Sequence, residues 1–210
     1  MLKDNRKTII LTSIVTLLPI LAGLCLWKRL PDVMATHFGL NNEANGFSSK
    51  AFAVFGLPLI LLAVHLFCAF VTSKDPRQGN INPKLFTLVL WICPVVSLFV
   101  AAVVYPFNLG LPMDVGLLAG VLLGALFLIV GNYMPKTRQN YTIGIKIPWT
   151  LADEDNWNRT HRLAGRLWVA GGILMLLMAL TGHAYPALMI ALILIIVIAP
   201  CVYSYMISRK

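Results

Sequence analysis

The sequence predicts an all-α polytopic membrane protein, and three observations carry that reading. Of its 210 residues 59% are hydrophobic and only 12% charged, with a mean hydropathy of +0.80, whereas a soluble domain carries about 25% charge. Six apolar stretches come close to or exceed the length of about 20 residues that a helix needs to cross a bilayer core. The Lys and Arg residues gather in alternate loops, the pattern that orients a multi-pass chain. A soluble enzyme, a nucleic-acid module and a disulfide-stapled secreted domain are all excluded by the shortage of polar surface.

Taken in order, the first expected span is 8–27, preceded by Lys3, Arg6 and Lys7. Leu21-Ala22-Gly23-Leu24-Cys25 comes near a lipoprotein cleavage box, but Leu24 stands where a small residue is needed, so a retained helix is expected. The loop 28–50 follows, with Asn45-Gly46 as the turn signal of a small hairpin. The remaining spans are expected at 51–72, 85–105, 113–134, 163–181 and 187–204. Pro19, Pro58, Pro94 and Pro200 interrupt spans and favour kinks. Gly116, Gly120 and Gly124 form a doubled G-x-x-x-G that lets another helix approach closely, expected within the chain rather than in a second copy.

With the amino terminus inside, the outer loops hold only Lys28, Arg29 and Lys50, and every other Lys and Arg falls on the inner side. Both termini and the segments 73–84 and 135–162 are therefore expected in the cytoplasm, and 28–50, 106–112 and 182–186 outside. The net charge of +9 is then a topology signal, with the lipid bilayer as partner and no direct nucleic-acid contact. Cys25, Cys68, Cys93 and Cys201 sit in apolar stretches without a C-x-x-C and read as reduced packing residues.

His65 is the only ionisable side chain near mid-depth in any span. A hydrogen-bonded structural histidine is the first reading, and a small ion-coupled transporter or exporter with a path lined by His65 is the alternative. There is no H-E-x-x-H, no G-x-S-x-G, no Walker or dinucleotide glycine pattern and no carboxylate pair within a span. No catalytic residue, cofactor or metal site is expected, and the chain reads as something other than an enzyme.

The segment 131–166, GNYMPKTRQNYTIGIKIPWTLADEDNWNRTHRLAGR, is richer than a connector needs. Pro135 stops the fourth span, Gly144 and Pro148 imply fixed turns, and Thr150 three residues before Asp153 reads as a capping box. The helix it starts runs into the fifth span. On that helix Asp155, Arg159, Arg162 and Arg166 share one face, while Trp157, His161 and Trp168 give another an aromatic side suited to the headgroup zone.

Gly131-Asn132, Pro135, Asn140, Gly144-Ile145, Pro148-Trp149-Thr150-Leu151, Trp157 and Thr160-His161-Arg162 with Gly165 resemble the SdpI immunity-protein family. Leu30-Pro31, His37-Phe38, Gly46 and Ser49-Lys50 resemble the amino-terminal domain often found with it. Lys146-Ile147 depart from the Arg and Thr usual there, and Ala44-Asn45 from Pro-Asp. On this resemblance the chain divides into a two-span unit, 1–72, with the outer loop 28–50, and a four-span SdpI-like unit, 85–210, with the motif segment 131–166.

The resemblance implies a bacterial inner-membrane protein that protects its cell from a secreted toxic peptide and, in at least some members, recruits a transcriptional repressor. Topology then assigns the partners to opposite faces. Pro31, His37, Phe38, Gly46 and Lys50 are the candidate toxin contacts outside. Asn132, Pro135, Asn140, Gly144, Pro148, Trp149, Thr150, Trp157, Thr160, His161 and Arg162 are the candidate partner-binding residues inside. The expected coupling is a shift in span packing on toxin engagement, with the Gly116 seam and the proline kinks as its two-state element.

Overall fold

A computed structural model describes residues 1–182 and 185–209. His183 and Ala184, within the expected outer connection 182–186, and Lys210, counted among the inner basic residues, lie outside the described residues. The elements are α1 (Arg6–Cys25), strands β1 (Val33–Phe38) and β2 (Ala44–Ser49), a π-helical turn (Phe52–Gly56) leading into α2 (Leu57–Ser73), and a 3-10 turn (Gln78–Asn80). They continue with α3 (Pro83–Asn108), α4 (Val115–Tyr133), a second 3-10 turn (Met134–Lys136), α5 (Pro148–Ala152), α6 (Glu154–Leu180) and α7 (Pro186–Ser208).

Among the described residues six helices are long and apolar enough to span a membrane, and they expose many large apolar side chains while burying small and polar ones. Leu21, Phe67, Leu180 and Ile195 are exposed, whereas the buried positions include Thr12 and Thr16 of α1, His65 and Ala69 of α2, Gly120, Gly124 and Gly131 of α4, and Ser204 of α7. Among lipid tails burying leucine gains nothing, so small residues that permit close contact and polar groups that find partners occupy the interior. The chain is a multi-pass membrane protein.

By contacts the chain forms two compact units, one of Met1–Lys74 with Phe86–Val115 and one of Asp75–Leu85 with Gly116–Lys210. The motif-based division groups the third span with the later ones, while contacts group it with the first two. The reason is a row of polar side chains on α3. Ser97 Oγ donates to the Thr16 carbonyl (2.7 Å) and Tyr105 Oη to that of Pro19 (3.0 Å). Asn108 closes on β1, accepting from Ala35 N (2.8 Å) and donating to its carbonyl (2.9 Å).

The hairpin exists, but its turn is not at Asn45-Gly46. Those residues lie inside β2, and the connection is 39–43, where Gly39 N donates to Glu43 O (2.8 Å) and Asn42 takes φ 62°. Gly46 is needed for close approach: a Cβ there would stand 2.7 Å from His37 Cβ, where the register is irregular. Met34, fully buried, anchors the hairpin to Leu30, Val54 and Val104. Pro58 lies, as expected, inside a span, since the helix runs without a break from the π-helical turn through Gly56 (φ −61°, ψ −50°) into α2.

In the second unit α4 and α6 touch backbone to backbone. A Cβ on Gly172 would come within 2.6 Å of Leu128 N and 2.7 Å of Gly124 O, and one on Gly131 within 2.8 Å of Val169 N. Of the three glycines expected in the seam, Gly124 meets Gly172 of α6, within the chain, and Gly131, further along α4, meets Trp168 and Val169. We predict that Gly172→Ala lowers the thermal midpoint in detergent by the equivalent of about 1–3 kcal/mol. Gly79→Ala, where an added Cβ meets nothing within 4 Å, should leave it unchanged; equal midpoints for both would refute the seam.

Candidate functional site

The motif segment folds as a polar knot on the amino-terminal end of α6. Pro135 begins it by stopping α4 and packing where a Cβ on Gly165 would lie 2.6 Å from its ring. Beyond the 3-10 turn, Thr137 offers its carbonyl to Trp157 Nε1 (2.7 Å). Trp157 is 0% exposed and stacks on His161, their ring centroids 4.0 Å apart.

Asn140, also 0% exposed, holds the next loop from within. Its Oδ1 accepts from the backbone N–H of Thr142 (2.9 Å) and Ile143 (2.7 Å), and its Nδ2 donates to the carbonyls of Arg138 (2.8 Å) and Ile143 (3.0 Å). An amide is the side chain that supplies two acceptor and two donor positions at once. The loop then turns through Gly144 at φ +123°, where a Cβ would stand 2.5 Å from His161 Nε2. Both the backbone angle and the space require glycine there.

His161 reads the loop from below. Its Nε2 accepts from Ile145 N–H (3.0 Å), so Nδ1 carries the proton and donates to the Trp157 carbonyl (2.8 Å). Both nitrogens are engaged, which fixes a neutral ring in a single tautomer.

Pro148 next starts the single-turn helix α5. Thr150 Oγ1 accepts from Ile147 N (3.1 Å) and donates to the Ile145 carbonyl (2.7 Å). Thr150 is thus not the cap of the long helix. Asp153 is, its Oδ1 accepting from Asp155 N (2.9 Å). The chain breaks between the two helices because Asp153 is extended (φ −135°, ψ 125°), as an N-cap residue should be.

Some of the site was missed by sequence reading. Asp75, 3% exposed, clamps the loop from the preceding connection: Oδ2 accepts from Tyr141 N (2.8 Å) and Thr142 Oγ1 (2.7 Å), and Oδ1 from Arg77 N (2.7 Å). Gln139 donates to the Thr150 and Leu151 carbonyls (2.8 and 3.0 Å), receives Asn80 Nδ2 at its own carbonyl (2.8 Å) and meets Arg77 through its side-chain oxygen. Asn156 ties α6 to α7, accepting from Ser204 Oγ (2.6 Å) and Thr160 Oγ1 (3.1 Å) and donating to the Ser204 carbonyl (2.9 Å). A signal for Asp75 was present: it is the lone acid between Lys74, Arg77 and Lys84.

Of the eleven partner-binding candidates, Asn140, Thr150, Trp157, Thr160 and His161 are buried and Gly144 and Trp149 half-buried, Trp149 resting on Tyr205 (centroids 4.9 Å apart). Asn132, Pro135, Pro148 and Arg162 remain exposed. The aromatic side of α6 turns inward, a correction to its reading as a headgroup anchor. Trp168 packs edge-on against Phe127 and donates from Nε1 to the Ile196 carbonyl (2.9 Å). Arg159 lies 3.5 Å from Asp155 on the outer face. Among the described residues no three His, Cys, Asp or Glu side chains converge to hold a metal ion.

The outer-loop candidates are structurally divided. Lys50 is bound to Asp32 (2.9 Å) and lies over the Trp27 ring, Phe38 packs edge-on against Phe107, and His37 Nδ1 donates to Asn45 Oδ1 (2.6 Å). Pro31 is exposed, as are Val33, Leu40 and Phe47, which sequence reading did not single out.

Asn140→Ala would leave the Thr142 and Ile143 N–H groups unpaired, at about 1–3 kcal/mol each. Hydrogen exchange at residues 137–147 should accelerate at least tenfold while α7 keeps its protection. Unchanged exchange in that loop would show that Asn140 does not hold it.

Residues 136–204 match the SdpI/YfhL protein family. Residues 14–62 match a domain of unknown function (DUF1648), and residues 39–132 a family of unknown function (DUF5389). The chain is 27% identical to "Immunity protein SdpI" of Bacillus subtilis (strain 168), over 97% of each chain. No solved structure matches it. The polar knot and the α6–α7 pair it rests on thus fall in the segment, residues 136–204, that matches the SdpI/YfhL protein family.

Proposed function

We propose that the chain is an immunity protein of a bacterial cell membrane, protecting its cell from a secreted toxic peptide. The observation that carries this reading is the likeness to an immunity protein over 97% of both chains, which spans the hairpin as well as the knot. Both termini and the knot face the cytoplasm, following the distribution of Lys and Arg, and the hairpin faces outward.

The toxic peptide meets the hairpin, where Val33 (64% exposed), Leu40 (67%) and Phe47 (63%) offer apolar contact outside the spans. On the other face the knot acts as a rigid mount. Its buried residues set the shape, and the exposed rim of Asn132, Pro135, Pro148 and Arg162, with Lys146 and Tyr141, is what a regulatory protein such as a transcriptional repressor would touch. His65, hydrogen-bonded to Thr12 (3.0 Å), is a structural histidine in this reading.

The test is toxin challenge of a sensitive host that expresses the chain, using candidate peptides encoded near its gene. Wild type should raise survival, and Phe47→Ser should reduce that gain at normal protein level. Arg162→Ala should spare survival and weaken only regulator recruitment, whereas Trp157→Ala should lower protein level, because about 3–5 kcal/mol of core packing is removed. His65→Gln should keep full survival; its collapse at normal protein level would favour ion-coupled export instead. No gain from wild type against any peptide would sink the immunity reading.

Sidedness has its own check. In a chain with Cys25, Cys68, Cys93 and Cys201 replaced, Lys146→Cys is exposed and should resist an impermeant thiol reagent in intact cells. Leu40→Cys should react. The reverse pattern would invert the orientation.

A further inference from the structure

Beside the amino-terminal end of α1 lies an open groove of about 380 Å³, with walls of Ile9 and Ile10 on one side and Leu66, Ala69 and Phe70 of α2 on the other. Lys3 and Arg6 stand at its mouth. Apart from these two cations the lining is apolar, and Ala69 within it is 2% exposed.

The charge at the mouth is not neutralised by an ion pair among the described residues. Asp4, the nearest acid in sequence, is taken up by the terminal amine of Met1 (3.0 Å), and neither Lys3 nor Arg6 forms an ion pair among the described residues. The first turn of α1 contains no acidic residue, so the positive end of its dipole adds to the same field. A groove opening sideways from two spanning helices faces lipid tails, and a concavity there is filled by a chain from the membrane.

We propose that the groove binds one anionic phospholipid, an acyl chain lying against Ile10, Leu66 and Phe70 and the headgroup phosphate held by Lys3 and Arg6. The chemistry excludes a zwitterionic lipid of equal affinity, because a quaternary ammonium beside the phosphate offsets the attraction of the two cations. It also excludes free phosphate as the main ligand, since most of the surface is apolar.

Native mass spectrometry of the full chain, released from detergent with phosphatidylglycerol or phosphatidylcholine of the same acyl chains, tests this. Wild type should retain one phosphatidylglycerol on the order of tenfold more strongly than phosphatidylcholine. Lys3→Ala with Arg6→Ala should remove that one lipid's preference, leaving phosphatidylcholine retention unchanged. Leu66→Trp, at a lipid-facing position, should weaken both lipids by obstructing the groove. Unaltered thermal midpoints establish that both variants are folded. The proposal fails if wild type does not discriminate between the lipids, if the double variant keeps its preference, if Leu66→Trp has no effect, or if inorganic phosphate alone displaces the lipid.

Discussion

Inside a bilayer a backbone carbonyl without a partner has no water to turn to, and leaving one exposed to hydrocarbon costs several kcal/mol. Each proline within a span creates such a carbonyl four residues earlier, because the ring nitrogen has no hydrogen to donate. Pro200 does this to Ile196, and Trp168 Nε1 fills the gap from the neighbouring helix at 2.9 Å. In the first unit α3 bonds to α1 on either side of Pro19, through Ser97 at the Thr16 carbonyl and Tyr105 at that of Pro19. These side-chain bonds to helix carbonyls also fix which helix lies beside which within each unit.

This constraint explains why polar and small residues are buried beside the large apolar ones. His65 with Thr12 is buried at mid-span, where outside the protein it would meet only hydrocarbon, and Asn156 with Thr160 and Ser204 is buried where α6 meets α7. Glycines serve the other need, contact. Gly124, Gly131 and Gly172 bring two backbones within reach, where many weak dispersion contacts replace the hydrophobic driving force that is absent between lipid-immersed helices.

The spans were legible because length and apolarity alone determine them: each expected stretch falls on an observed spanning helix, with ends shifted by up to nine residues. The largest shift is at the start of α6, where the hydrophilic residues 154–162 prolong the spanning helix and carry no hydropathy signal of their own. The hairpin was legible as a hairpin but not in register. Asn-Gly is a strong turn signal, yet Gly46 is set by the side chain of His37 across the strand pair, a long-range fact that a local signal does not contain. The motif residues were found as a group, but not their division of labour. Trp157 and His161 look like surface residues on a helix written as a line; they are internal because residues 137–145 fold back over them, and that fold-back depends on Asp75, more than 60 positions away from Tyr141 and Thr142.

The division of labour changes what the motif means. A family pattern of Asn140, Gly144, Thr150, Trp157 and His161 invites the reading that a partner touches these residues, but each is spent on the loop itself: Asn140 on four backbone groups, His161 on two, Thr150 on two. Residues used up in this way specify a shape. What distinguishes one copy from another is then expected at positions that the shape leaves outward. Lys146, exposed and reaching back only to the Thr142 carbonyl (2.8 Å), is such a position, and it is one of the places where this sequence departs from the family pattern. A change there alters the presented surface without disturbing the knot that presents it.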